Sequence, residues 1–176
     1  MIKKTLTKPV VLIGMMGSGK STVGKKLARK LNLQFYDSDK ILEEREALSI
    51  VDIHDFMGER YFQQKEEEVI KEIIGYGVVV LSTGGSSFMN ENIRNFIIDN
   101  TISVWLDSDL DTIHERVSRR NTRPELMASD NKKELLEKMM KEREPVFKQA
   151  NIKIESDLEA HHLVGTIIEK LEAYQK

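Results

Sequence analysis

Two rhythms of apolar residues alternate along the chain. Val10-Val11-Leu12-Ile13 is a continuous apolar run suited to a strand buried on both faces, and Val23, Leu27 and Leu31 then recur at i, i+4, i+8 as on a helix. Strand-like runs follow at Leu33 to Tyr36, Val78 to Leu81, Ile102 to Leu106 and Ile152 to Ile154, about five strands in all. Between them, Val69, Ile70, Ile73 and Ile74 share one side of a long charged helix, and Leu163, Val164, Ile167, Ile168 and Leu171 pattern a closing one. This alternation predicts an α/β fold: a parallel sheet covered by helices on both faces, with ligands at the carboxyl ends of its strands. No internal repeat or low-complexity segment interrupts it. From Arg119 to Asp130 the chain is charged, weakly periodic and holds Pro124, which reads as a mobile flap.

The first strand runs into Gly14-Met15-Met16-Gly17-Ser18-Gly19-Lys20-Ser21, a G-x-x-x-x-G-K-S phosphate loop, with Thr22 next in the following helix. Gly17, Ser18 and Gly19 let successive backbone N–H groups wrap the β-phosphate, and the helix points its positive end at the same anion. Lys20 is expected to bridge the β- and γ-phosphates and Ser21 to place its hydroxyl on Mg²⁺. The motif implies a nucleoside triphosphate, and its strand-loop-helix context makes a glycine turn that binds nothing a poor alternative.

Composition narrows the partners. At 176 residues and 40% hydrophobic, the chain fits a single α/β domain over 1–176. A formal net charge of −2 gives no basic excess for polynucleotides, so no nucleic-acid partner is expected. The chain has no cysteine, which removes disulfides and thiolate chemistry, and no apolar stretch approaches the roughly 20 residues of a membrane span. The expectation is a soluble, cytoplasmic, monomeric protein without membrane contact.

Chemistry is then sought where strands end. The second delivers Asp37-Ser38-Asp39, two carboxylates suited to a division of labour, one on Mg²⁺ and one on a substrate hydroxyl; the plainer reading is a helix cap. The third delivers Ser82-Thr83-Gly84-Gly85-Ser86, whose glycines permit close backbone approach to a ligand or merely a tight turn.

These residues resemble the shikimate kinases. The phosphate loop, Phe-x-Asp-x-Asp at Phe35 to Asp39, Gly-Glu-x-x-Phe at Gly58 to Phe62, Ser-Thr-Gly-Gly at Ser82 to Gly85, Arg123-Pro124, and Arg143 before Pro145 stand in that family's order and spacing over nearly the whole chain. The resemblance implies a three-layer P-loop fold with a five-stranded parallel sheet, a substrate-binding helical section at about 38–65 and a lid at about 117–130. It implies an ATP- and Mg²⁺-dependent transfer of the γ-phosphate to the 3-hydroxyl of shikimate, on the route to chorismate and the aromatic amino acids. Position by position, it implies that Asp39 holds the acceptor hydroxyls and takes a proton, Asp37 holds Mg²⁺ through water, and Arg123 closes over the phosphates. Arg143 would meet the acceptor carboxylate beside Gly84 and Gly85, and Arg116 would stack on adenine, with Arg119 and Arg120 as rivals for that place.

Two positions depart from the family. Gln63 stands where the family has a carboxylate-binding arginine, and Ser86 where it usually has a third glycine. Arg60, three residues before Gln63, is a candidate to compensate, although a solvent-facing charge is the plainer reading. The rival functions are a kinase of another small hydroxy acid or polyol, of gluconate type, and a catalytically idle module that binds nucleotide for a partner. The four histidines show no metal-ligand spacing, His161-His162 reads as a helix edge, Trp105 as core, and Lys65-Glu66-Glu67-Glu68 as a solvated helix face.

Overall fold

The computed structural model describes residues 6–119, 126, 129–156 and 160–175. Its sheet has five parallel strands: β1 (Val10–Ile13), β2 (Phe35–Asp37), β3 (Val80–Ser82), β4 (Ile102–Asp107) and β5 (Ile152–Glu155), in the order β2-β3-β1-β4-β5. Among the described residues the helices are α1 (Lys20–Leu31), α2 (Ser38–Glu46), α3 (Ile50–Met57), α4 (Glu59–Gly75), α5 (Glu91–Asn100), α6 (Leu110–Ser118), α7 (Lys132–Phe147) and α8 (Ala160–Tyr174). The predicted α/β architecture and parallel sheet are observed, with strand ends shifted by a residue or two. β2 begins at Phe35 rather than Leu33, and β3 at Val80 rather than Val78.

The unbroken apolar run of β1 is explained by its two covered faces. Val11 and Ile13 join one core with Leu81, Trp105, Val69 and Ile73 of α4, Ile93 and Ile97 of α5, and Leu136 and Phe147 of α7. Val10 and Leu12 join the other with Leu27 of α1, Val104, Ile154, and Leu163 and Ile167 of α8. Because side chains alternate along a strand, one four-residue segment feeds both cores. β5, at the sheet edge, instead alternates buried and exposed positions.

β1 lies between β3 and β4, so the chain leaves it toward β2 on one side and reaches β4 on the other. That reversal opens a crevice beyond the carboxyl end of β1, and the phosphate loop follows β1 there. Side chains cap the helices around it: Asp37 accepts from the N–H of Lys40 at the start of α2, and Ser49 from that of Asp52 at the start of α3. The free ends of α2 and α4 are tied by a bidentate pair, Arg45 Nη1 and Nη2 to the Glu72 carboxylate at 2.8 and 2.9 Å, which the Tyr76 hydroxyl also bonds.

Candidate active site

The loop after β1 is set by its glycines and its lysine. Gly14 has φ +141°, and a Cβ there would lie 2.6 Å from the Leu106 carbonyl oxygen, so no side chain fits. Lys20 is 7% exposed, and its ammonium donates to the carbonyls of Gly14 and Met15 at 2.8 Å each. A cation is thereby held over a turn of backbone N–H groups at the N-terminus of α1, the arrangement an oligophosphate requires. Gly17, Ser18, Gly19, Lys20, Ser21 and Thr22 all line one cleft of about 550 Å³.

Ser21 and the end of β2 meet in that cleft. Ser21 Oγ donates to Asp37 Oδ2 at 2.5 Å and lies 3.4 Å from Ser82 Oγ, while Asp37 Oδ1 caps α2 at 3.4 Å from the Lys40 nitrogen. Asp37 therefore caps α2, the plainer role its sequence position suggested, and turns its other oxygen to the Ser21 hydroxyl. A hydroxyl, a carboxylate and a second hydroxyl in contact form a hard-oxygen donor set suited to Mg²⁺, which commonly takes one or two protein ligands and completes its shell with phosphates and water.

Asp39 lines the same cleft from the first turn of α2. Against it packs the glycine turn after β3, where a Cβ on Gly84 would lie 2.8 Å from Asp39 Oδ1, 2.9 Å from Glu66 Oε1 and 3.0 Å from Ser87 Oγ. Gly85 abuts the phosphate loop, with a Cβ position 2.8 Å from the Met16 nitrogen, and its carbonyl accepts from Arg143 Nη1 of α7 at 3.2 Å. This turn is a thin wall with Asp39 on one side and the phosphate loop on the other. Its glycines are required by space: neither has positive φ, and Ser86 sits at φ −108°, ψ −9°, ordinary right-handed backbone with no strain.

Arg116 of α6 closes the far side, its Nη1 3.1 Å from the Gly17 carbonyl and 3.5 Å from where a Cβ on Gly19 would lie. Arg119 lines the cleft as well and is paired with Glu115 at 2.5 Å. Val117 and Leu163, both buried, add an apolar surface beside these guanidinium groups. Neither was read from the sequence as a cleft residue, because each looks like any other apolar residue in a helical stripe. Arg120, Arg123 and Pro124 lie outside the described residues, as does most of the segment read as a flap.

The structure places Gln63 on the exposed side of α4, its amide donating to Glu59 Oε1 at 2.7 Å. The other oxygen of Glu59 pairs with His54 Nδ1 at 2.8 Å, and the His54 ring packs tilted by 34° against Phe62, centroids 4.2 Å apart. Arg60 is exposed, as the plainer reading had it. One expectation is corrected: Glu66, read as part of a solvated helix face, is 3% exposed and accepts from Ser87 Oγ at 2.5 Å. The helical stripe of Phe62, Glu66, Val69 and Ile73 was the missed signal, since a carboxylate at i+4 from a buried phenylalanine shares its inward face. Trp105, read as core, is 4% exposed, and His162 lies exposed on α8.

Comparison with known proteins gives a consistent answer. The family model for shikimate kinase matches residues 16–172. The shikimate kinase of Bartonella henselae is 41% identical over 95% of this chain and 80% of that protein. That of Novosphingobium aromaticivorans is 41% identical over 95% and 88%. Among solved structures, a shikimate kinase from Acinetobacter baumannii in complex with shikimate superposes with a TM-score of 0.91 at 30% identity, covering 95% of this chain and 94% of that one. A gluconokinase from Sinorhizobium meliloti, at 17% identity and TM-score 0.61, shares the fold alone.

Proposed function

Because the chain belongs to the shikimate kinase family, an ATP-using phosphotransferase family acting on an alcohol group, we propose that its cleft transfers the ATP γ-phosphate to the 3-hydroxyl of shikimate. The observation that carries this reading is that the phosphate loop and Asp39 line one continuous cleft with only the Gly84-Gly85 turn between them. A donor phosphate and an acceptor hydroxyl held there are adjacent without an intervening side chain.

In that reading the acceptor hydroxyl gives its proton to Asp39 as its oxygen forms the bond to phosphorus, and the bond from phosphorus to the β–γ bridging oxygen breaks, releasing ADP. Little else is asked of the protein than position and charge. Lys20 moves its ammonium from the loop carbonyls onto the β- and γ-phosphates, and the loop N–H groups hold the β-phosphate against recoil. Ser21 and Asp37 would hold Mg²⁺, which supplies charge neutralisation at the phosphates when bound. Arg143, which donates to the Gly85 carbonyl, meets the acceptor carboxylate with its guanidinium, and Gly84 and Gly85 offer backbone contact beside it. Arg116 covers the base. Arg123 completes the phosphate contacts by the family pattern.

The reading is tested by ATP turnover with Mg²⁺ in the presence and absence of shikimate, with gluconate as a control acceptor. Shikimate-dependent ADP release with shikimate 3-phosphate as product is expected. Turnover with gluconate alone would replace the acceptor, and nucleotide binding without transfer to either acid would leave the idle module as the answer.

A further inference from the structure

A carboxylate-bearing acceptor poses a charge problem that the family solves with the arginine missing here. The Gln63 amide is engaged by Glu59 on the exposed side of α4, and Arg60 stands exposed in the first turn of the same helix. The cleft nevertheless has a cation in its lining next to Asp39 in the chain. Its described lining includes Lys20, Lys40, Arg116 and Arg119. Lys20 belongs to the phosphate loop, and Arg116 and Arg119 stand on α6 at the opposite wall, one on the Gly17 carbonyl and the other on Glu115. Lys40 alone of these follows directly on Asp39, the residue placed at the acceptor hydroxyl, and shares its stretch of wall with Glu43 and Ile50.

The placement of Lys40 conflicts with its local setting. It occupies the first turn of α2, just after Asp37 and Asp39, where the helix dipole favours anions and disfavours an ammonium. A residue that breaks a local rule at the rim of a ligand cleft marks function more often than packing. Glu43, its neighbour one turn on, spends a carboxylate oxygen on the Ile50 N–H at 3.0 Å, capping α3. The Lys40 side chain is exposed, and its four-carbon stem lets the ammonium reach across the mouth of the cleft.

Resting on the functional reading above, we propose that Lys40 is a specificity-determining cation of the acceptor site, pairing with the carboxylate of the hydroxy acid in place of the arginine that Gln63 replaces. Arg143 binds that carboxylate from the Gly85 side and Lys40 from the α2 side. A point charge on a flexible stem gives charge without the geometry of a guanidinium fork, so the pair discriminates a carboxylate from a neutral group but grips it less rigidly than two arginines.

The test compares the unaltered chain with Lys40→Gln, Lys40→Arg and Lys40→Gln/Gln63→Arg, using shikimate and its uncharged methyl ester as acceptors. Lys40→Gln is expected to raise the shikimate KM about five- to tenfold and to shrink the preference for acid over ester by the same factor, with the ATP KM moving less than about twofold. Lys40→Arg and the double variant should recover the preference. An equal loss for acid and ester, a rise confined to the ATP KM, or an unmoved acid KM would each overturn the role of Lys40. Equilibrium binding of shikimate to the same variants reads the contact without turnover. Failure of the unaltered chain to phosphorylate shikimate would sink the functional reading; turnover with an unmoved KM in Lys40→Gln would sink only this inference.

Discussion

The two halves of the cleft are built by different means. The phosphate half comes from one contiguous stretch, Gly14 to Thr22, whose backbone turns on its own glycines and whose lysine bonds its own carbonyls. The acceptor half is assembled from Asp39 on α2, Glu66 on α4, the Gly84-Gly85 turn with Ser87, and Arg143 on α7. In the proposed function the first would recognise a part common to all nucleoside triphosphates, and it matches its motif fully; the second would recognise one small acid, and there the chain departs from the family pattern. Backbone recognition of phosphate tolerates little change because it depends on the turn that the loop glycines permit. Side-chain recognition can move a charge from one element to another and keep the same ligand.

That contrast can be broken by substitution. Lys20→Met removes the cation on the phosphates and is expected to lower kcat by two to three orders of magnitude, about the loss seen for one preorganised charge-stabilising donor, with the acceptor KM little changed. A large change in acceptor KM instead would show that the halves are not separable.

Arg143→Ala is the counterpart on the acceptor side. Loss of a charge-assisted contact of about 1.5–3 kcal/mol should raise the shikimate KM tenfold to a hundredfold while the ATP KM holds. An unmoved KM would remove Arg143 from the site. Gly85→Ala probes the wall between the halves, where the new methyl meets the Met16 nitrogen at 2.8 Å, a backbone atom that cannot swing aside. Overpacking of this kind costs about 1–3 kcal/mol, a fall in Tm of roughly 2–4 °C per kcal/mol, and it should worsen both KM values together. If only one moved, the wall would belong to one half.

The smallest effect is expected at the clamp that closes the acceptor helices. Hydrogen bonds from Arg45 and then Tyr76 hold the Glu72 carboxyl at about 2, down from its ordinary 4.5. A lowered carboxyl contributes stability that is fully present above the unfolded value and is lost as pH falls through the folded one. The clamp should therefore hold above about pH 4.5 and release between there and about pH 2, so that Arg45→Gln narrows the stability difference between pH 6 and pH 3. Both groups are exposed, so the effect should be small and weaken in high salt. Identical pH profiles for the variant and the unaltered chain would show that the clamp does not couple to folding.

Legibility followed the same division. The four residues of β1 announced a doubly covered strand because both cores draw on them, and the cap at Asp37 was readable because its bond to Lys40 is local to the start of α2. Glu66 was misread because a run of charges looks solvated until the helix is rolled against Gly84 and Ser87. Ser86 raised a question of strain that one backbone angle answers.

By itself the sequence determined the α/β order, the phosphate loop and hence the donor nucleotide, since these depend on neighbours along the chain: periodicity, turn glycines and a lysine within reach of its own loop. The resemblance added the acceptor. Only the tertiary structure decided that Gln63 turns to Glu59, that Glu66 is buried beside Asp39, that Arg143 reaches Gly85, and that Lys40 faces the cleft. Those outcomes depend on how helices far apart in sequence pack onto one sheet, and a side chain's charge or polarity does not reveal which neighbours that packing will bring to it.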